Sequence, residues 1–146
     1  MDYSSLLPSF ENILPELLNK QNRLLLIVSK EEQSTKDLES ALKKDGYDVE
    51  ILSATHKKSE FEKQKKECEG NCVAVVMTPP TESLEVVQEA IGAGIEKVWL
   101  DTGSESTDAI QFLSGVSVQF VHSVPLVREA LNPTSSETTK FQRKDS

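Results

Sequence analysis

Cys72-Val73-Ala74-Val75-Val76-Met77-Thr78-Pro79-Pro80-Thr81 is the stretch that decides the fold. Six apolar, largely β-branched residues run without alternation, as expected for a strand covered on both faces. A rigid Pro-Pro turn follows, and then Leu84, Val87, Ala90 and Ile91 form an apolar stripe at helical spacing that stops at Gly92 and Gly94. A buried strand leading through a short turn into an amphipathic helix is half of a βαβ unit. Similar apolar runs stand at Leu24-Leu25-Leu26-Ile27-Val28, Val49-Glu50-Ile51-Leu52, Lys97-Val98-Trp99-Leu100 and Val118-Gln119-Phe120-Val121. Five strands alternating with helices predict an α/β domain with a five-stranded, doubly wound parallel sheet.

The segments between the runs carry helix punctuation. Ser34 or Thr35 can cap a helix with Leu38, Ala41 and Leu42 inward, Glu39 paired with Lys43 outside, and Gly46 as the stop. Ser59 and Glu62 have capping-box spacing around a single anchor, Phe61. Thr81 can cap the helix after Pro79-Pro80, and Ser106 or Thr107 can open a shorter one with Ile110 and Leu113 inward. Ser123 can cap a last helix carrying Leu126, Val127, Ala130 and Leu131, which Asn132-Pro133 would stop. Before the first strand, Phe10, Ile13, Leu14, Leu17 and Leu18 predict an amphipathic helix, with Pro15 in its first turn or at a kink. The expected domain therefore spans residues 1–131, and residues 132–146 have too little to bury and are expected to be a disordered polar tail.

Composition narrows the function. The 146 residues carry 16 Lys and Arg against 24 Asp and Glu, a net charge of −8, which argues against nucleic acid as a partner. No apolar run reaches the roughly 18 to 20 residues of a membrane-spanning helix, and Met-Asp-Tyr-Ser-Ser lacks the charged and apolar regions of a secretory leader. The expectation is a soluble cytoplasmic protein, consistent with having two cysteines, Cys68 and Cys72, and no disulfide framework. Their C-x3-C spacing with His56 upstream is one ligand short of a structural zinc site, and Cys72 fits a core position. P-loop, G-x-S-x-G and H-E-x-x-H motifs are absent, and the third strand ends in Met77-Thr78 where a phosphoacceptor aspartate would stand. Lys57, Lys58, Lys63, Lys65 and Lys66 form a basic cluster suited to a solvated helix face, or to an anion if it turns toward the strand ends.

In a doubly wound sheet, ligands sit beyond the carboxyl ends of the strands, near the point where the winding reverses. After the first strand comes Ser29-Lys30-Glu31-Glu32-Gln33-Ser34-Thr35, with hydroxyls and one cation but none of the glycines of a dinucleotide-binding turn. Thr78 and Pro79 follow the third strand and bring a hydroxyl and a helix N-terminus to the same edge. Asp101-Thr102-Gly103-Ser104, after the fourth, combines hydroxyls with a flexible glycine, and also suits an ordinary turn. His122 brings an imidazole after the fifth strand, where a structural role is the commoner one. All four loops are expected to meet at one rim.

Val75-Val76-Met77-Thr78-Pro79-Pro80, then Val86-Val87-Gln88-Glu89-Ala90-Ile91 with Ala93-Gly94-Ile95, then Val98-Trp99-Leu100-Asp101-Thr102-Gly103, resemble the CoA-binding domain family, which is related to the nucleotide-binding part of the succinyl-CoA synthetase alpha subunit. The likeness extends over residues 5–131 and implies a Rossmann-like fold. Two departures stand out: Ser29 to Gln33 stand where members usually carry a glycine and small polar residues, and His122-Ser123-Val124 stand where many members carry an Asp-Arg-Cys-like element. By this resemblance Thr78, Pro79, Thr102 and Gly103 take a ligand-lining role, and Ser29, Lys30 and His122 join them by position. The implied function is non-catalytic binding of CoA, acyl-CoA or another adenine nucleotide. The alternative is a degenerate member that has lost its ligand and serves as an interaction or homodimerisation module, which predicts a crevice plugged by side chains.

Overall fold

Alternation in the sequence becomes alternation of strands and helices in the computed structural model, which describes residues 14–30, 32–53 and 58–131. The order is β1 (Arg23–Val28), α1 (Gln33–Lys44), β2 (Asp48–Ser53), α2 (Lys58–Glu67), β3 (Cys72–Val76), α3 (Pro80–Gly92), β4 (Lys97–Leu100), α4 (Thr107–Ser114), β5 (Gln119–His122) and α5 (Leu126–Leu131). All pairings are parallel and the sheet order is β2-β1-β3-β4-β5. The chain therefore steps outward from β1 to β2, returns past β1 to β3, and continues the other way. That reversal between β1 and β3 is where such sheets open a crevice.

Strand alternation divides the core into two layers. Leu25, Ile27, Ala74, Val76, Val98 and Leu100 pack on one face against Phe61 of α2, Val86, Val87 and Ala90 of α3, and Ala109 and Leu113 of α4. Leu24, Leu26, Val73, Val75, Trp99 and Val121 pack on the other against Leu38 and Leu42 of α1, Leu126 and Ala130 of α5, and Leu17. Helices on both faces are why the strand runs are continuous rather than alternating. Trp99, fully buried, donates its indole N–H to the carbonyl of Val124 at 2.9 Å and so ties the central sheet to the loop entering α5.

Three helices return to the sheet through the same motif. At the end of α1, Tyr47 N–H reaches the Leu42 carbonyl and Gly46 N–H the Lys43 carbonyl, with Gly46 at φ 101°. Gly94 and Ile95 repeat the arrangement after α3, and Glu69 and Gly70 after α2. In the last case the left-handed position falls on Glu69 at φ 54°, a conformation that glycine adopts without strain. The helix expected around Ser59 thus forms despite its single large anchor.

Caps differ from expectation at three helices. Ser34 and Thr35 lie inside α1, whose N-cap is Glu32 with no side-chain cap bond, and Thr35 is buried. Thr81 lies inside α3, which begins at Pro80. For α5, the carboxylate of Asp101, from the loop after β4, accepts the Leu126 N–H at 2.8 Å, while Ser123 takes a left-handed φ of 65°. Ser106 does cap α4, accepting from the Ala109 amide at 3.1 Å. The expected partners Phe10 and Ile13, His56, Lys57 and the tail at 132–146 lie outside the described residues, while Leu14, Leu17 and Leu18 pack against the second layer.

Candidate functional site

A cleft of about 630 Å³ opens at the carboxyl ends of β1, β3 and β4, across the reversal point. Its first wall is Val28, Ser29 and Lys30 with Ser34 and Thr35 from the first turn of α1. Met77, Thr78 and Pro79 form its floor, and Asp101 to Ser104 its far wall. Six of the seven residues picked out from the sequence, Ser29, Lys30, Thr78, Pro79, Thr102 and Gly103, are thus brought together.

His122 is not among the lining residues. The fifth strand runs one residue further than the apolar pattern suggests, and His122 pairs in register with Leu100. Strand alternation then sends its ring to the side of Phe120, with ring centroids 6.2 Å apart, and Nδ1 meets the Ser123 hydroxyl at 2.9 Å. Burial lowers the His122 pKa, opposed by the nearby Glu105 carboxylate. The imidazole is therefore part of the packing beside β4, away from the cleft.

Several hydroxyls at the cleft are already engaged. Ser29 donates to Glu82 at 2.7 Å, fastening the loop after β1 to the first turn of α3. Thr78 meets Ser83 at 3.2 Å, and Ser83 donates to the Ser104 carbonyl at 2.6 Å. All three residues linked in this way are buried, and the hydroxyls of Thr78 and Ser83 brace the floor and far wall. Glu82 and Ser83 escaped the sequence reading because a serine or glutamate in a first helical turn has no distinctive pattern. The signal available was position: both follow directly on the Pro-Pro turn.

Charge at the cleft is mixed. Lys30 is exposed and supplies the cation, opposite Glu32 and Asp101. Burial pushes the Asp101 carboxyl above the usual carboxylate range, resisted by hydrogen bonds from the backbone of Leu126 and Thr102. Gly103 sits at φ 95°, its amide bonded to Glu105 at 2.9 Å, and no atom lies within 4 Å of where a Cβ would project. The far wall is therefore low at this point. Of the basic cluster, Lys63, Lys65 and Lys66 stay on α2 and contribute nothing to the lining. Among the described residues no group of three or more His, Cys, Asp or Glu could hold a metal ion.

The volume lies inside the range of about 300 to 1,000 Å³ usual for small-molecule sites. The donors at the cleft include Lys30 and the first turn of α1, whose N-cap Glu32 makes no side-chain cap bond. The far wall carries one carboxyl, Asp101, and no cation.

Comparison with known proteins agrees with this architecture. The family described as CoA binding domain matches residues 18–129. Among solved structures, a conserved hypothetical protein from Pyrococcus furiosus is similar at a TM-score of 0.57 and 22% identity, covering 74% of this chain and 98% of that one. Prb, the PH1109 protein redesigned for binding, is similar at a TM-score of 0.57 and 17% identity, covering 93% and 95%. Both likenesses support the fold. No curated protein matches the sequence. With the doubly wound parallel sheet, the cleft at its reversal point and a family match over most of its length, the chain belongs to the CoA binding domain family.

Proposed function

We propose that the cleft binds CoA, acyl-CoA or another adenine nucleotide, and that the protein does so without catalysing a reaction. The observation that carries this reading is an open cleft at the β1/β3 reversal, walled by Lys30 and the uncapped first turn of α1. In this reading Lys30 and the α1 amides hold a phosphate, a charge-assisted contact. Met77 and Pro79 give apolar surface to the base, and the low wall at Gly103 admits an extended ligand. A ligand-free interaction module or homodimer would favour a filled crevice, so the open volume speaks for the binding reading. No helix among the described residues is long and apolar enough to cross a membrane, and a cytoplasmic setting is part of the proposal.

The test is thermal unfolding of the protein titrated separately with CoA, NAD and ATP. A ligand at a hundred times its dissociation constant adds about 2.7 kcal/mol, or roughly 5 to 10 °C for a domain of this size. Lys30→Glu should cut the shift without altering the unliganded midpoint by more than a degree or so. No concentration-dependent shift with any of the three ligands would overturn the reading.

A further inference from the structure

The opposite, amino-terminal edge of the sheet holds a second chemical grouping. Cys68 follows α2 directly and Cys72 opens β3. Between them Glu69 and Gly70 take left-handed backbone at φ 54° and 84°, and the Asn71 amide donates to the Cys68 carbonyl at 2.9 Å. The chain therefore doubles back, and Cys68 packs against the same core layer that holds Cys72. Cys68 is half-buried, with its thiol directed to the Gln64 carbonyl at 3.0 Å, whereas Cys72 is 1% exposed. Arg23 stands beside Cys72 in the strand register, and its guanidinium lies within electrostatic reach of both sulfurs.

We propose that Cys68 and Cys72 form a dithiol that hydroperoxides oxidise to an intramolecular disulfide, a modification site remote from the nucleotide cleft. Cys68 is the thiol a small oxidant reaches. As thiolate it attacks one peroxide oxygen; the O–O bond breaks, the departing oxygen takes up the thiol's proton, and Cys68 becomes a sulfenic acid. Cys72 then attacks the Cys68 sulfur, the S–O bond breaks, and the leaving hydroxide takes the Cys72 proton to become water. Two thiols are oxidised and one hydroperoxide is reduced, to water and, for an organic peroxide, an alcohol. Burial pushes the Cys72 thiol up to about 12, so Cys72 is not the thiol that reacts first. Lys97 and Arg23, the latter ion-paired with Asp48 and Glu67, lower the cost of a thiolate at Cys72.

The experiment uses the full chain, reduced and then treated with hydrogen peroxide. The chain has two cysteines, and no Lys or Arg lies between Glu67 and Glu96, so one tryptic peptide carries both sulfurs. That peptide should lose two hydrogens, recover them with dithiothreitol, and show no cross-link between chains. In Cys72→Ala the same treatment should leave a sulfenic acid on Cys68 that dimedone captures, and in Cys68→Ser the Cys72 thiol should remain unmodified. Should a variant fail to fold, the wild-type peptide mass decides alone. A disulfide between chains, a sulfinic acid on Cys68 with Cys72 still a thiol, or two intact thiols at peroxide levels that oxidise free cysteine would each overturn the proposal.

Discussion

Replacing Asp101 tests whether a side chain from the end of β4 holds α5 in place. Its carboxylate accepts the Leu126 amide at 2.8 Å, and Leu126 is fully buried beneath that contact. Asp101→Ala leaves a first-turn amide of α5 without its acceptor, at a cost of about 1 to 2 kcal/mol. For a chain of this size the unfolding midpoint should fall by roughly 3 to 8 °C. Asp101→Asn keeps an oxygen in place and should lose less than half of that. The two variants also separate in pH. Burial raises the Asp101 pKa above its unfolded value, so the folded state holds that proton more tightly. The resulting contribution is present at pH below the ordinary carboxylate range and is lost as pH rises through the raised value. Wild type should therefore lose stability relative to Asp101→Asn across that window. Urea unfolding at a series of pH values, followed by far-ultraviolet circular dichroism, measures both effects. The reasoning fails if Asp101→Ala is as stable as wild type, or if Asn and Ala are equally damaging.

Trp99→Phe removes the indole donor to the Val124 carbonyl and leaves that oxygen buried, so chemical unfolding should show a loss of about 2 to 4 kcal/mol. Glu69→Gly relieves a left-handed residue after α2 and should raise stability by up to about 1 kcal/mol in the same assay. Gly103→Ala meets no neighbouring atom but must hold φ 95°, so it should cost about 1 kcal/mol in unfolding while weakening nucleotide binding by calorimetry. Ser29→Ala breaks the bond to Glu82 across the reversal point, and should increase amide exchange in the loop after β1 with little change in global stability.

Much of the fold was legible because burial on both faces leaves a strong mark. The runs at Leu24 to Val28, Cys72 to Met77 and Lys97 to Leu100 became β1, β3 and β4 within a residue of their expected ends. Strand order was not legible, since continuous apolar runs look alike wherever they stand in the sheet. Short strands were also vulnerable. His122 pairs with Leu100 and so extends β5 by a polar residue that no apolar pattern includes. Its ring falls on the side of Phe120 and is not among the groups that line the cleft. The loops at Ser29, Thr78 and Thr102 were placed correctly because strand ends fix their origin. Their hydrogen bonds were hidden, because Ser29 to Glu82 and Ser83 to Ser104 join residues distant in sequence. The long-range cap of α5 by Asp101 was missed for the same reason, with Ser123 lying closer along the chain.

The most direct measurement is a two-dimensional amide spectrum of the isotope-labelled protein titrated with CoA. Binding in the cleft predicts saturable shifts confined to residues 28–30, 32, 34–35, 77–78 and 101–104, whose atoms line it. His122 and the amino-terminal edge around Cys68 should stay unmoved. Saturable shifts centred elsewhere, or none at millimolar CoA, would contradict the account.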